Sequence, residues 1–462
     1  MVDDEQIQAT RRRHGCAWLS GLCLLAVPLL IVGLWIAWLL ASDSTAQEKL
    51  QTQLAAIRKA GHPTDSRSLQ KYYEQHTDSS DTPAWLRVLA ALDNPELQRS
   101  WSDVPLMDGF ADDRVPLPGQ PWASERSTRE FLARWRDLYQ QILELALKGK
   151  AVRFPIVFAS SSTLLPHSQQ LRTAARFLLL DGQLALRDGD AIRVEQAIRG
   201  LWGAAGINSQ DPLLVSHMIS LAIDGMALEL LRDALQTGLL PAERLRELLP
   251  EIERGTQLSP SFRVAMIGER ATNLPAWLGA QGDRSLPGQA GDALHYLEIM
   301  QQMIDAPGED VEAFVWAFLQ HQPASDQSQR ASWWSRLGTG QVQWPIPAMQ
   351  GAIRADIYRM IQYRLAAVAC GVRLYQQQHT DFPSQLAQLA ELRLGMEHMS
   401  APGNQPFGYR VTPAGHAQLW SFNPLWQTSV PAEPPDTSPG NVHGPENHRW
   451  LWQLELPTAA VD

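Results

Sequence analysis

Cysteine is nearly absent from this chain of 462 residues, and the three present are poorly placed for chemistry. Cys16 and Cys23 fall inside an apolar run, which leaves Cys370 alone in the remainder. An intramolecular disulfide outside that run is therefore excluded, and so is a cysteine-based zinc centre. A cationic surplus is missing as well. Acidic side chains number 49 against 39 basic ones, for a formal charge of −10, and lysine is scarce beside arginine. This balance excludes the basic footprint that nucleic acid or an anionic membrane surface requires. Charged residues make up only 19% against 45% hydrophobic ones, so the chain is no disordered stalk; it is long enough for roughly two or three units around a sizeable core. Cofactor signatures are lacking, and none is expected to bind. Ser68 and Lys71 match S-x-x-K, but the companions S-D-N and K-T-G are missing, so the match reads as chance.

What is present begins at the N-terminus, where Arg11, Arg12 and Arg13 lead into an uncharged apolar stretch from Cys16 to Ala41. Roughly 20 apolar residues cross a bilayer as a helix, and this stretch is long enough. Trp18 at one end and Trp35 and Trp38 at the other suit the two interfaces, and the arginines orient the helix with its N-terminus in the cytoplasm. A cleaved signal peptide has an apolar core of about 7 to 15 residues, so an uncleaved anchor is the reading. The bilayer is then a partner through one helix, and the bulk of the chain lies on the extracytoplasmic side of the inner membrane.

Periodicity divides the rest into a juxtamembrane helical region with a proline-rich loop (42–125), a helical array (126–378) and a small C-terminal module (379–462), after a tail (1–15) and the anchor (16–41). Phe131, Trp135, Leu138, Ile142 and Leu145 recur at steps of three and four and predict one helix over Thr128–Lys148. Four consecutive helices are expected between Ser168 and Gly255, punctuated by Asp188-Gly189-Asp190, by Gly206 to Gln210 and by Gly238. Asp211 is placed as an N-cap with Pro212 at the first helical position. Short connections imply antiparallel pairs, so the array is read as irregular helical hairpins without a strict repeat of about 34 residues. Further helices are expected at Pro260–Ala271, Gly291–Asp305, Val311–Gln320 and Ala348–Gln378. The fold class is thus mainly α, with an N-terminal transmembrane helix and a terminal α+β module. That module should hold a three-stranded antiparallel sheet, with Pro406–Val411 and His416–Phe422 as a hairpin and His448–Leu456 as the third strand.

Two patterns carry a resemblance. The stretch ARFLLLDGQLALRDGD looks like one found in uncharacterised bacterial membrane-anchored, tetratricopeptide-like helical proteins. The C-terminal layout, with Phe382-Pro383, Leu386, Leu389, Pro406-Phe407 and Tyr409-Arg410, is similar to that of type II secretion major pseudopilins. The prepilin glutamate is not matched, because counting from Gly15 its place is Ser20, and Ser421 to Trp426 replaces the acidic calcium loop. The resemblance implies architecture and supplies no activity.

Three groups are candidates for chemistry. His443, Glu446 and His448 form the densest set of metal-ligand types, in a Gly/Pro-rich loop whose ordinary reading is a solvated turn. Glu269 lies mid-helix, where burial would raise its pKa and suit a general acid for glycan cleavage, as in the helical lytic transglycosylases; a local ion pair with Arg270 is the plainer reading. Trp333, Trp334, Trp344, Trp420 and Trp426 surround the C-terminal module and serve either a core or a stacking surface for sugars or a protein. The sequence therefore points to a non-catalytic scaffold that binds another envelope protein. A peptidoglycan-acting hydrolase and a carbohydrate-binding module are the alternatives.

Overall fold

The computed structural model describes residues 44–101, 104–107, 115–158, 165–278, 289–305, 346–392, 400–422, 429–435 and 451–455. The anchor with Arg11, Arg12, Arg13, Trp18, Trp35 and Trp38 lies outside the described residues, as do the helix expected at Val311–Gln320 and the His443, Glu446, His448 loop.

Local punctuation builds the centre of the array. Helix α7 (Pro166–Asp188) stops at Gly189, whose φ of +73° is the left-handed turn that glycine adopts without strain. One residue on, the Asp190 side chain accepts from Arg193 N at 3.0 Å and opens α8 (Ala191–Ile207). Helix α9 (Leu214–Thr237) follows and ends at Gly238, again left-handed at +71°. These three helices pack on one another in turn, α7 also meeting α9, as a hairpin array requires. Helix α9 is the one helix among the described residues long and apolar enough to cross a membrane; α7, α8, α11 (Pro260–Trp277) and the last helix enclose it, so it is the core helix of the array.

Helix α10 (Ala242–Gly255) departs from the expected pairing. It packs mainly on the final 34-residue helix, Ile346–His379, which enters beside α9 where a hairpin partner was expected. With α12 (Gln289–Asp305) against α11, the array is closed into a bundle rather than left as an open solenoid. The final helix is α13.

The N-terminal helices are a helix over 44–59 (α1), α2 (Ser66–His76), α3 (Thr82–Leu92) and a short α4 (Pro95–Ser100) that periodicity does not signal. The single helix expected over Thr128–Lys148 is two, α5 (Glu125–Arg134) and α6 (Arg136–Leu147). At the break Trp135 donates its indole N–H to Ser100 Oγ at 3.0 Å, so a tertiary contact overrides a continuous apolar stripe. Between α6 and α7 an extended segment buries Val152, Phe154, Ile156 and Phe158 in strict alternation.

The C-terminal module contains the expected sheet, shortened: β3 (Gly408–Val411), β4 (Ala417–Trp420) and β5 (Leu451–Leu454), all antiparallel, in the order 3-4-5. Pro406 does not open β3 as expected; with Gln405 it forms β2 (Gln405–Pro406), paired with β1 (Ser400–Ala401) in a separate ladder. Trp452 and Leu454 face inward, and Trp452 Nε1 donates to Gln362 on α13 at 3.3 Å. One hydrophobic cluster runs from Leu50 to Leu454 and joins module to array.

Candidate binding groove

The polar residues that interrupt the array's apolar faces fall into two groups, those that join helices in the interior and those that line a groove, where Arg232 pairs with Asp233 and Gln236 with Glu455. Glu269 belongs to the first. Gly268 lies where a Cβ would stand 1.7 Å from Pro212 O, so α11 touches the chain just before α9. The next residue, Glu269, then accepts Leu214 N at 3.0 Å through Oε1 and Asn273 Nδ2 at 3.0 Å through Oε2. Burial raises its pKa, against the lowering by these two hydrogen bonds. The carboxylate closes the N-terminus of α9, where the helix dipole favours an anion. It makes no pair with Arg270, which turns to Gln301 Oε1 at 2.7 Å.

Asp211 is thereby freed from the capping role assigned to it. Its carboxylate accepts from Tyr73 Oη at 2.9 Å and from Ser216 Oγ at 3.2 Å, and lies 3.1 Å from His167 Nε2, all in the interior. A second network resembles a nucleophilic triad by residue type. Ser261 Oγ lies 2.8 Å from His217 Nδ1, with Asp356 Oδ2 at 4.0 Å from Nε2. The last distance exceeds a hydrogen bond. Asp356 is instead committed to Ser259 N and Arg359, and all three residues are buried with no face to a substrate. Both networks tie helices together.

The second group lines a groove floored by α9. Ala222, Gly225, Glu229, Arg232, Asp233 and Gln236 recur at helical spacing on one face and run through two hollows of about 370 Å³ and 300 Å³ that share Glu229 and Arg232. Arg172 of α7, Tyr358 and Gln362 of α13 and Trp452 wall the larger one. Gln183 of α7, residues of the 115–120 loop and Leu451 and Gln453 of β5 wall the smaller. Arg187 fixes the loop by donating to Pro116 O at 2.9 Å and Leu117 O at 3.0 Å.

The DGQ triplet inside ARFLLLDGQLALRDGD now has a physical account. Asp181 accepts from Tyr139 Oη at 2.7 Å and from Arg193 at 2.6 Å. A Cβ on Gly182 would meet Leu230 at 2.4 Å and Ala197 at 2.8 Å, so its absence admits both neighbouring helices. Gln183 is thereby held at the groove. Neither Gln183 nor Gln362 was singled out from the sequence; the available signal was an uncharged polar residue on an otherwise apolar helix face.

Among the described residues no cluster of three or more His, Cys, Asp or Glu could hold a metal ion. Trp420 and Trp452 are buried and belong to the core, while Trp333, Trp334, Trp344 and Trp426 lie outside the described residues. No family model, curated protein or solved structure matches the chain.

Proposed function

We propose that this chain is a non-catalytic protein-binding component of a bacterial cell envelope, held in the inner membrane by residues 16–41 with its N-terminus in the cytoplasm and its helical bundle on the other side. The observation that carries this reading is the placement of polar groups: Glu269 and the His217, Ser261, Asp356 set join one helix to another and present no face to a substrate, while charged and amide side chains line a groove along α9. The apolar, tryptophan-flanked run behind three arginines supports the anchor. The resemblance to membrane-anchored tetratricopeptide-like proteins supports recognition as the role, an argument from architecture.

A C-terminal alkaline phosphatase fusion is expected to be active and a C-terminal cytoplasmic-type fluorescent reporter dark; the reverse pattern removes the envelope placement. Crosslinking of the full-length chain in cells is expected to trap a heteromeric species of fixed stoichiometry. Clearing of peptidoglycan by the wild type that is lost in Glu269→Gln would replace the scaffold with the hydrolase.

A further inference from the structure

We propose that the seam between α9 and α13 is a proton-operated switch, in which one proton on Asp224 decides whether the Arg359 guanidinium serves one buried carboxylate or two. The inference goes beyond the protein-binding reading and does not depend on it.

The first observation is a charge count. Asp224 of α9 and Asp356 of α13 share a single cation. Arg359 Nε donates to Asp356 Oδ1 at 3.0 Å and Nη2 donates to Gln257 O at 2.6 Å, while Nη1 stands 3.6 Å from Asp224 Oδ2. Burial favours the neutral form of the nearby His217 ring, which therefore adds no positive charge. Two carboxylates against one guanidinium leave one negative charge over, and a buried charge without a partner is neutralised by taking up a proton.

The second observation decides where that proton sits. Asp356 accepts from Ser259 N at 3.1 Å and 3.0 Å as well as from the guanidinium. Asp224 accepts from Tyr363 Oη at 3.1 Å, and its contact with Arg359 is too long for a hydrogen bond. A Cβ on Gly255 would stand 2.2 Å from the Tyr363 ring, so the backbone of α10 closes on that ring and fixes it beside Asp224. Asp224 is also the most accessible member of the group. Its side chain is 16% exposed, against 7% for Arg359, 1% for Asp356 and 0% for His217, so exchange of a proton with water takes place there.

The groups around Asp224 come from several helices. α13 presents Arg359, Asp356 and Tyr363, and α10 presents Glu251, itself paired with Arg254. At the far end of the cluster His217 meets Ser261 of α11, and α8 places the Trp202 ring 6.5 Å from that of Tyr363. Burial, Asp356 and Glu251 oppose an ionised Asp224, while Arg359 and Tyr363 support it; burial is the largest influence and pushes the carboxyl up to about 6.

With the proton in place, Arg359 belongs to Asp356 and Gln257 O. Once Asp224 ionises, it draws the guanidinium across the seam and away from Asp356. Gly225, Tyr358 and Gln362 are sequence neighbours of Asp224, Arg359 and Tyr363 and line the larger hollow, so its α9 and α13 walls follow the switch.

The test uses the full-length protein in detergent micelles, labelled with [γ-13C]aspartate, as wild type, Asp224→Asn and Glu251→Gln. One aspartate carboxyl signal is expected to titrate with a midpoint of about 6, after ordinary carboxylates have ionised, and to be missing from Asp224→Asn. Glu251→Gln removes a facing negative charge and should lower the midpoint by about 0.3 pH units. Hydrogen exchange at the amides of 221–228 and 356–366, corrected for intrinsic rates, should be roughly tenfold faster at pH 7.5 than at pH 5.5 in wild type and no faster in Asp224→Asn. No aspartate signal titrating above the ordinary range, or one that persists in Asp224→Asn, would overturn the proposal. Glu251 is 34% exposed, so its variant keeps the fold even where Asp224→Asn does not, and a midpoint that it leaves unmoved would place the titrating group elsewhere and overturn the proposal too. Equal exchange at the two pH values in wild type would remove the switch.

Discussion

The turn between α7 and α8 and the two ends of α9 solve the same problem by different means. Every helix leaves N–H groups at its start and C=O groups at its end without intrahelical partners. At the α7–α8 turn the chain satisfies them with its nearest residues, Gly189 in the left-handed region and Asp190 as the cap. At α9 the left-handed Gly238 supplies the same local stop, and partners from far along the sequence are added at both ends. Glu269 of α11 accepts Leu214 N at one end, while at the other Arg373 of α13 donates to Leu235 O at 3.1 Å and Gln236 O at 3.2 Å, and also to Glu455 O at 2.8 Å beyond β5. The anion sits at the positive end of the helix dipole and the cation at the negative end. Local capping makes a turn; remote capping ties α11, α13 and the end of β5 to one central helix, and the last two of these wall the groove.

Removing the remote cation should have the largest effect. Arg373 is fully buried, and desolvation pushes its pKa down to about 10 against the opposing pull of Glu455. Arg373→Met should cost about 3–5 kcal/mol in urea unfolding, because Leu235 O, Gln236 O and Glu455 O lose a charged donor together, with only Gly238 N left on the first and Glu455 N on the second. Release of β5 from α9 should also alter the near-ultraviolet signal of Trp452. A variant that unfolds like wild type would mean that the C-terminal module is not fastened through this residue.

The network beside α9 predicts an opposed pair of pH responses. Burial pushes the Asp224 carboxyl up to about 6, against Arg359 and the hydrogen bond from Tyr363 Oη. Folding favours its neutral form, so this contribution is complete below about pH 4 and is lost as pH rises through 6. Burial lowers the His217 pKa, against Asp356, so folding favours the neutral ring; that contribution is complete above about pH 6.5 and is lost as pH falls. Asp224→Asn should therefore leave a protein that weakens on acidification below about 6.5, and His217→Gln one that weakens as pH rises through 6. The Asp224 arm amounts to at most about 3 kcal/mol, and both arms are read by urea unfolding at pH 5 and 7. Parallel pH profiles in the two variants would refute the assignment.

Glu269 sharpens the comparison at an intermediate scale. Glu269→Leu strips the acceptor from Leu214 N and should cost about 1–3 kcal/mol. Glu269→Gln keeps an acceptor and mimics the neutral acid that burial favours, so its stability at pH 7 should equal or exceed that of wild type. The smallest effects belong to the local turn. Asp190→Ala should cost about 1 kcal/mol through the lost cap, and Gly189→Ala a similar amount through backbone strain, since open space surrounds that position. Losses there as large as that of Arg373→Met would erase the distinction between local and remote capping.

Much of this fold is legible in the sequence where a signal is local. The spans of α7 to α10, the stops at Gly189 and Gly238 and the hairpin around Thr412 to Gly415 follow from periodicity and turn chemistry. The misplacement of Asp211 as a cap is instructive, because a residue of the right type stands at the right place, yet its carboxylate is drawn to Tyr73 and His167 and a glutamate 55 residues beyond Leu214 closes the helix. The split at Trp135 has the same origin, a contact with Ser100 that an apolar stripe does not encode. The groove was the least legible, since Gln183, Arg232 and Gln453 lie on three elements and carry no motif.

The sequence alone determined which segments are helical, where most of them stop, and that the terminal module is a small antiparallel sheet, because helix and hairpin signals are set by residues a few positions apart. Only the tertiary structure decided that α13 inserts beside α9, that Glu269 and Arg373 close a helix to which neither belongs, and that Gln183 and Gln362 come to line hollows along α9. Those outcomes depend on which buried polar group reaches which partner after the chain has collapsed, and such distances are fixed by packing rather than by neighbours in sequence.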